Sequence, residues 1–454
     1  MEKKIKKFTD IMRKENLQES VIDTFCAYYK KLSSGETGKI DRTMIDSPDE
    51  KDLLHYKNLK EENPALLQKL AIIKLNGGLG TGMGLNKAKS LLTVKDGLSF
   101  LDIIINQIIS LRKKYNNNVP LIFMNSYNTG KDTLEKMNTY SDIFTQEFPF
   151  DFLQHKFPRI EKSELVPTEF ENKNENWNPP GHGDIYLAMH NSGIIDKLIN
   201  SGISYIFISN SDNLGAEADP KILTAFAENE YPFMMEVCTR TENDKKGGHL
   251  AKLKNGGFVL RETAQCPDEE VKEFQSTEIY KYFNTNNLWV NLHALKKNIE
   301  KTGRFDLSVI FNPKKVNGIE VIQLESAMGS AISVFRNSKA MLVPRSRFVP
   351  VKTSNELFLI RSDVFMLDEM YRLKKNPEAL TIPTVELSNE YKFIDDFEKL
   401  AGKVPSLVKC KSLKVKGPII FKNNVTVQGD VVADHKEYPV MQNCLLTSEK
   451  SSHN

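Results

Sequence analysis

Short apolar runs alternate along the chain with stretches of helical spacing, and this alternation predicts the main fold. The first clear run, Ala71–Leu75, is followed at once by a glycine-rich loop. Apolar residues then recur at helical spacing, at Phe100, Ile103, Ile104, Ile108 and Leu111. Further apolar runs lie at Val119–Met124, Tyr205–Ser209 and Phe233–Val237. Because buried strands separated by helices are typical of α/β domains, we expect a mixed, mostly parallel sheet with its ligands at the carboxyl ends of the strands.

The two ends of the chain differ from this central part, which we assign to residues 67–395. Residues 1–66 are highly charged and contain an apolar set at helical spacing, Val21, Ile22, Phe25 and Tyr29. This pattern predicts a small helical segment. In residues 396–454 apolar residues recur every six positions in two registers, at Leu413, Ile419, Val425 and Val431 and at Val415, Phe421, Val427 and Ala433. A hexapeptide repeat is typical of a β-helix; a pair of hairpin strands remains the alternative.

Composition excludes some classes of protein. The net charge of the 454 residues is only +3, which argues against a protein that coats nucleic acid. No apolar run approaches the roughly 18 residues of a membrane-spanning helix, so no membrane partner is expected. The five scattered cysteines have no C-x-x-C spacing. They predict reduced thiols in a cytoplasmic protein rather than disulfides or a zinc site.

The glycine-rich loop after the first apolar run is the strongest local signal for a ligand. Five glycines lie within residues 77–84, where the backbone can approach an anion and turn its N–H groups toward it. A Walker A loop is excluded because no Gly-Lys pair occurs here, and the dinucleotide fingerprint fails because Met83 or Leu85 occupies its last glycine position. The missing glycine of the fingerprint argues against an NAD-dependent oxidoreductase. Lys89 stands just beyond the loop, as a point charge for a triphosphate.

Other segments extend the pattern well beyond this loop. In chain order they are LNGGLGTGMGLNKAKS (75–90), NPPGHGDIY (178–186), SNSDNLG (209–215), KGG (246–248), ETAQ (262–265), FNTNNLW (283–289), QLE (323–325) and PRSRFVPVK (344–352). Together they resemble the UDP-glucose pyrophosphorylases of the eukaryotic type over roughly residues 70–370. The resemblance implies a nucleotide-diphospho-sugar transferase domain with a Rossmann-like sheet, followed by a small left-handed β-helix.

The same resemblance implies a site, residue by residue. The UTP-binding residues would be Leu75, Asn76, Gly77, Gly78, Lys89, Gln154, Gly181, Asn210, Asp212 and Lys352. Among these, the backbone of 75–78 would face uracil and ribose, and Gln154 would read the uracil edge. The sugar-phosphate residues would be His182, Gly248, Glu262, Asn284 and Asn286. Asp212 would hold Mg²⁺, which its position after a strand also favours.

The implied reaction transfers a uridylyl group from UTP to glucose 1-phosphate and gives UDP-glucose and pyrophosphate. A phosphate monoester is already an anion near neutral pH, since its second pKa is about 6, so no general base is required. The site must supply charge neutralisation and alignment, for which Lys89, Lys352 and Asp212 are suitable catalytic groups. His182 is then expected to donate a hydrogen bond rather than to transfer a proton, and Asp184 to cap a helix.

Two alternatives stay open at this point. A broad-specificity UDP-sugar pyrophosphorylase would differ by one or two contacts to a sugar hydroxyl. A catalytically silent sugar-nucleotide sensor could keep the fold, although retention of both lysines and Asp212 argues against it. N-acetylhexosamine pyrophosphorylases typically have an arginine in the loop where this chain has Gly82, which disfavours that substrate. The closing hexads leave room for a homo-oligomer formed through the C-terminal unit, and the short polar tail argues against a large assembly.

Overall fold

The computed structural model describes residues 1–140, 147–245, 247–437 and 439–448. Lys246 of the KGG segment and the end of the C-terminal tail lie outside these ranges. The helices are α1 (Glu2–Lys14), α2 (Glu19–Ser33), α3 (Phe100–Tyr115), α4 (Gly130–Met137), α5 (Ile185–Asn191), α6 (Ile194–Asn200), α7 (Pro220–Glu228), α8 (Val271–Phe274), α9 (Leu292–Thr302), α10 (Ser354–Arg361) and α11 (Ile394–Ala401). Across the part of the chain that is described, no helix is both long and apolar enough to cross a membrane.

The strands follow in chain order. The first are β1 (Ile45–Asp46), β2 (Leu54–His55), β3 (Leu70–Asn76), β4 (Thr93–Lys95), β5 (Leu98–Ser99), β6 (Leu121–Asn125), β7 (Asp151–Leu153), β8 (Phe157–Pro158), β9 (Ile160–Glu161), β10 (Val166–Pro167) and β11 (Trp177–Asn178). The next are β12 (Tyr205–Asn210), β13 (Phe233–Thr239), β14 (His249–Leu253), β15 (Phe258–Arg261), β16 (Tyr282–Asn291), β17 (Val309–Val316), β18 (Ile319–Ser326) and β19 (Lys339–Leu342). The last are β20 (Phe365–Leu367), β21 (Leu373–Lys375), β22 (Thr384–Glu386), β23 (Cys410–Lys416), β24 (Ile420–Phe421), β25 (Val425–Asp434), β26 (Val440–Met441) and β27 (Cys444–Thr447).

The central sheet has the order β2-β19-β13-β16-β12-β3-β6-β7, with β1, β14 and β15 attached at its side. Neighbouring strands along this order are parallel except where β16 runs antiparallel to β12 and β13. The prediction of a mixed, mostly parallel α/β sheet is therefore confirmed. Six of the seven residues of β3 are buried, as expected for a strand covered on both faces.

Helix α3 shows how local sequence sets an element in place. The Ser99 hydroxyl accepts a hydrogen bond from the Asp102 N–H at 3.2 Å, and the Asp102 carboxylate accepts one from the Ser99 N–H at 2.9 Å. This capping box begins the helix at Phe100, and its last turn carries Arg112 and two lysines where the helix dipole favours cations. Most of its predicted apolar face is buried in one cluster with residues of β3 and β6.

The N-terminal helices form part of the main core. The Phe8 and Phe25 rings lie 5.0 Å apart between centroids, and Phe25 packs edge-on against Phe157 at 5.3 Å. The short strands β1 and β2 then extend the central sheet at its edge. Residues 1–66 thus share their hydrophobic interior with the central domain.

The C-terminal strands form a coil with parallel pairing. Leu413 pairs with Val431 and Val415 with Ala433, so the paired residues of these two strands lie 18 positions, or three hexads, apart in the sequence. All eight residues of the two hexad registers are buried. The hairpin alternative is wrong, because hairpin strands pair antiparallel. The coil includes β22, which lies before residue 396, and it shares a core with the central domain through contacts such as Phe358 with Phe421.

Candidate active site

A cleft of ≈ 280 Å³ opens at the carboxyl ends of β3 and β12. These strands are parallel neighbours, so the loops that follow them meet at the same edge of the sheet. The cleft is lined by Leu75, Asn76, Gly77, Gly78, Lys89, Ser90, Met124, Gln154, Pro179, Gly181, His182, Asn210, Ser211 and Asp212. The structure therefore brings together every residue that the sequence assigned to UTP except Lys352, and it adds His182.

The glycine loop folds back so that Lys89 faces the cleft. The backbone N–H of Lys89 donates to the Gly78 carbonyl at 3.0 Å. Its ammonium forms an ion pair with Asp212, with Nζ and Oδ2 2.7 Å apart. Both side chains are only partly exposed, at 16% for Lys89 and 23% for Asp212, so solvent weakens the pair less than at an open surface.

The loop that carries Asp212 is fixed from behind by backbone contacts. The Val351 N–H donates to the Asp212 carbonyl at 3.1 Å. The carboxamide oxygen of Asn213 accepts from the N–H groups of Gly215 and Val349 at 3.2 and 2.9 Å. The segment that contains Lys352 is thereby joined to the loop of Asp212.

A buried ion pair lies behind this junction. The Arg347 guanidinium donates through Nε and Nη2 to the two oxygens of Glu236, each at 2.7 Å. The same carboxylate accepts from the Trp289 indole at 2.9 Å and from the Asn287 amide at 3.1 Å. Four donors thus satisfy a fully buried carboxylate, and the Trp289 ring is itself buried in the core.

Gln154 and Gly181 form another part of the cleft wall. The Gln154 amide donates to the Gly181 carbonyl at 2.8 Å, and its oxygen lies beside Gly77. Gly181 has a φ of +80°, and a Cβ there would lie 2.3 Å from the Ser326 carbonyl oxygen. Only glycine fits this position without moving the backbone.

His182 is held in one tautomer. The Met328 N–H donates to Nδ1 at 3.0 Å, so in the neutral ring the proton is on Nε2. Burial lowers the pKa of His182 to about 4, which keeps the ring neutral at physiological pH. A neutral imidazole with a protonated Nε2 can donate a hydrogen bond to a phosphate or a hydroxyl.

The remaining sugar residues form a second group beside the cleft, near β14 and β16. The Asn284 N–H donates to the Gly248 carbonyl at 3.2 Å, and its amide donates to Asn286 Oδ1 at 2.8 Å. A Cβ on Gly248 would lie 2.7 Å from the Glu262 carboxylate, so a larger residue would displace that side chain. Gly329, next to Met328, lies against the Asn284 amide and links this group to His182.

Glu262 is an unusual acid in this second group. Burial raises the pKa of Glu262 to about 7, and the charge of Lys352 opposes the rise. Lys352 itself is exposed, with its Nζ 5.9 Å from the centre of the Phe283 ring, and it does not line the cleft. Lys352 therefore lies near enough to Glu262 for its charge to act on that carboxyl group.

Sequence reasoning missed several residues of the site. Ser90 and Ser211 are buried in the cleft wall next to Lys89 and Asp212, and their positions beside those residues were the only available signal. The expectation that Asp184 caps a helix was wrong for its side chain. Asp184 occupies the N-cap position of α5, as predicted, but its side chain makes no cap hydrogen bond. Its carboxylate accepts instead from the backbone N–H of His155 at 2.7 Å and pairs with the His155 ring.

Comparison with known proteins gives a consistent picture. A family model described as UTP–glucose-1-phosphate uridylyltransferase matches residues 22–428. The chain is 40% identical to the UTP–glucose-1-phosphate uridylyltransferase of Hordeum vulgare, over 90% of this chain and 87% of that protein. It is 41% identical to the enzyme of the same name from Encephalitozoon cuniculi, over 96% and 88% of the two chains.

Solved structures give the same result. A mutant of UDP-glucose pyrophosphorylase from Leishmania major, in complex with UDP-Glc, superposes with a TM-score of 0.92 at 37% identity, over 99% of each chain. A UDP-glucose phosphorylase structure from Trypanosoma brucei has a TM-score of 0.88 at 42% identity, over 98% of this chain and 99% of that one.

Proposed function

Because this chain belongs to the UTP–glucose-1-phosphate uridylyltransferase family, we propose that its cleft transfers the uridylyl group of UTP to glucose 1-phosphate. The enzyme forms UDP-glucose and pyrophosphate, and the reaction is reversible. The observation that carries the proposal is the meeting of Lys89, Asp212, Gln154 and His182 around one cleft at the carboxyl ends of parallel strands.

The reaction is a direct in-line displacement at the α-phosphorus of UTP. An oxygen of glucose 1-phosphate attacks, and pyrophosphate leaves. The nucleophile is already anionic at neutral pH, so the residues need only align the two substrates and neutralise their charge. Lys89 binds phosphate oxygens of UTP, and Lys352 approaches the phosphates from the opposite side.

The binding residues divide between the two groups of the site. The backbone of residues 75–78, with Gln154, Gly181 and Asn210, holds the nucleotide. His182 donates a hydrogen bond from its Nε2–H to the sugar phosphate. Gly248, Glu262, Asn284 and Asn286 contact the glucose hydroxyls. The donors and acceptors at this second group, two amides and a carboxyl group, suit the hydroxyls of a sugar.

Asp212 is the proposed ligand of Mg²⁺. Among the described residues, no group of three or more His, Cys, Asp or Glu side chains is placed to hold a metal. A single carboxylate nevertheless fits Mg²⁺, which binds one or two carboxylates together with substrate phosphates and water. When bound, the ion would neutralise phosphate charge.

The test is pyrophosphate release from UTP in the presence of Mg²⁺, with the 1-phosphates of glucose, galactose and N-acetylglucosamine in parallel reactions. We expect strong release with glucose 1-phosphate alone, and none after a chelator removes the metal. Comparable release with galactose 1-phosphate would identify a broad-specificity enzyme instead. No release with any of the sugars would contradict the proposal and favour a sensor.

We also propose that the C-terminal coil is left-handed and that copies of the chain associate through it. On one face of the coil, the neighbours Ile420 and Val440 are exposed, at 37% and 46%. Light scattering would then report an oligomer that Ile420→Lys dissociates, and a monomeric unmodified protein would contradict this.

All five cysteines are free thiols, which supports the cytoplasm as the proposed location of the protein.

A further inference from the structure

Lys74 is a buried lysine in the mostly apolar strand β3. Its side chain is 2% exposed, and its neighbours in the strand from Leu70 to Ile73 are buried apolar residues. The ammonium donates to the Ser209 hydroxyl at 2.8 Å and to the Ala216 carbonyl at 2.9 Å. A buried cation is costly unless it is paired or hydrogen-bonded, so these two bonds are what makes lysine tolerable here.

The two partners of Lys74 lie at opposite ends of one loop. Ser209 is the cross-strand partner of Lys74 in the sheet, and the chain leaves β12 one residue later. The loop then passes through Asp212 in the cleft and returns to Ala216. A single ammonium thus closes the loop that carries Asp212.

Lys74 also lies next to the first residue of the cleft on its own strand. Leu75 follows it directly, and the glycine loop with Lys89 begins there. Several contacts fix the position of Asp212 relative to the glycine loop. The Ser211 N–H donates to the Leu75 carbonyl at 3.1 Å, and Asp212 and Asn213 contact the 347–351 segment. Lys74 adds a side-chain attachment at each end of the loop.

We propose that Lys74 is a positioning residue of the active site, which ties both ends of the Asp212 loop to β3 and so sets Asp212 opposite Lys89. This inference rests on the proposed function, since it concerns the same site. Lys74 does not line the cleft and would act through Asp212. Its loss should therefore weaken metal and nucleotide binding at Asp212 more than it weakens sugar binding at Glu262.

The test compares Lys74→Met with a matched substitution, Lys95→Met. Lys95 is also buried, at 8% exposure, and its ammonium donates to the Ser362 carbonyl at 2.7 Å, away from the cleft. For Lys74→Met we expect kcat to fall about 10-fold to 100-fold, in line with the loss of other residues that orient a ligand. The Mg²⁺ concentration for half-maximal rate should rise, and the KM for glucose 1-phosphate should change little. Lys95→Met should stay within about twofold of the unmodified rate.

Calorimetric titration with Mg²⁺ and UTP, without sugar phosphate, supplies a readout independent of turnover. Lys74→Met should weaken this binding, and it should add no further loss in an Asp212→Ala background, because both changes act on one group. Equal loss in Lys95→Met, or additive losses with Asp212→Ala, would overturn the proposal.

Ser209→Ala provides a second route if Lys74→Met does not fold. It removes one acceptor of the ammonium and should weaken Mg²⁺–UTP binding in the same non-additive way. Unchanged binding in this variant would also overturn the proposal. If the unmodified protein releases no pyrophosphate with any sugar 1-phosphate, the proposed function fails, whatever the variants show.

Discussion

The Lys89 ammonium and the Asp212 carboxylate lie 2.7 Å apart, although 123 residues separate them in the chain. One group suits a phosphate and the other suits a metal ion, so a triphosphate with its Mg²⁺ would engage both at once. Each side chain holds the other in the wall of the cleft. The pair is the structural centre of the proposed site.

We expect Lys89→Ala and Asp212→Ala each to lower turnover by about 10²-fold or more, because each removes charge stabilisation from the transition state. Pyrophosphate release would measure the loss, and circular dichroism would verify the fold. Lys87→Ala is the control, since Lys87 is an exposed lysine of the same loop. A well-folded Lys89→Ala or Asp212→Ala variant with a near-normal rate would contradict the role of that residue.

Substitutions of His182 separate hydrogen bonding from proton transfer. Glutamine can place an N–H near the position of Nε2, so His182→Gln should lose about tenfold less activity than His182→Ala. Because the pKa of His182 is about 4, this residue should not titrate between pH 5.5 and 8. The unmodified protein and His182→Gln should therefore show the same pH dependence of the rate over this range. A general base would instead give equally large losses in both variants. The exposed His293→Ala serves as the control.

Glu262→Gln should raise the KM for glucose 1-phosphate about tenfold and leave the KM for UTP nearly unchanged. The reason is that Glu262 lies in the second group, beside Gly248, and not in the nucleotide cleft. Initial rates with each substrate varied in turn would measure the two constants. Glu269→Gln, at an exposed position nearby, should change neither. An equal rise in both constants would remove Glu262 from sugar recognition.

Glu236→Ala should destabilise the fold. It would leave the Arg347 guanidinium buried without its carboxylate, a loss of about 3–5 kcal/mol for a buried pair. Urea denaturation would measure the free energy of unfolding. Glu228→Ala, at the exposed end of α7, should stay within about 0.5 kcal/mol of the unmodified protein. An equally small change in Glu236→Ala would show that the ion pair of Glu236 and Arg347 contributes little to the free energy of unfolding.

Lys74 should make stability depend on pH. Burial lowers its pKa to about 7 from the ordinary value of 10.5, and the charges that act on the ammonium are those of Glu217, Arg347 and Glu236. Between these two values the unfolded chain binds more protons at this residue than the folded chain does. The free energy of unfolding of the unmodified protein, relative to Lys74→Met, should therefore rise from pH 7 to pH 10. A flat or falling difference would show that Lys74 does not titrate in this range.

Local patterns predicted the elements that local chemistry determines. The apolar runs at Ala71–Leu75 and Tyr205–Ser209 are parallel neighbours in the sheet, and three successive hexads form one turn of the coil between Leu413 and Val431. The glycine loop could be interpreted because its spacing lies within a few residues. These features depend on periodicity and on backbone freedom, which a single sequence displays directly.

Features that depend on distant contacts could not be predicted in the same way. Asp184 was expected to cap its own helix, but it binds His155, which lies 29 residues away. Lys74 was counted within an apolar run, and its role follows from Ser209 on a neighbouring strand. Nothing in the local pattern of either residue specifies which partner the tertiary fold will bring close.

The pairing of Leu413 with Val431 sets a rule for how this C-terminal unit can change in length. A full turn takes 18 residues at this pair, 19 at Val425–Cys444 and 20 at Ile420–Val440. A further turn of this length with the same inward pattern would therefore lengthen the stack. A change of one residue would reverse the inward and outward positions along a strand. The length of this unit can therefore change only by whole turns.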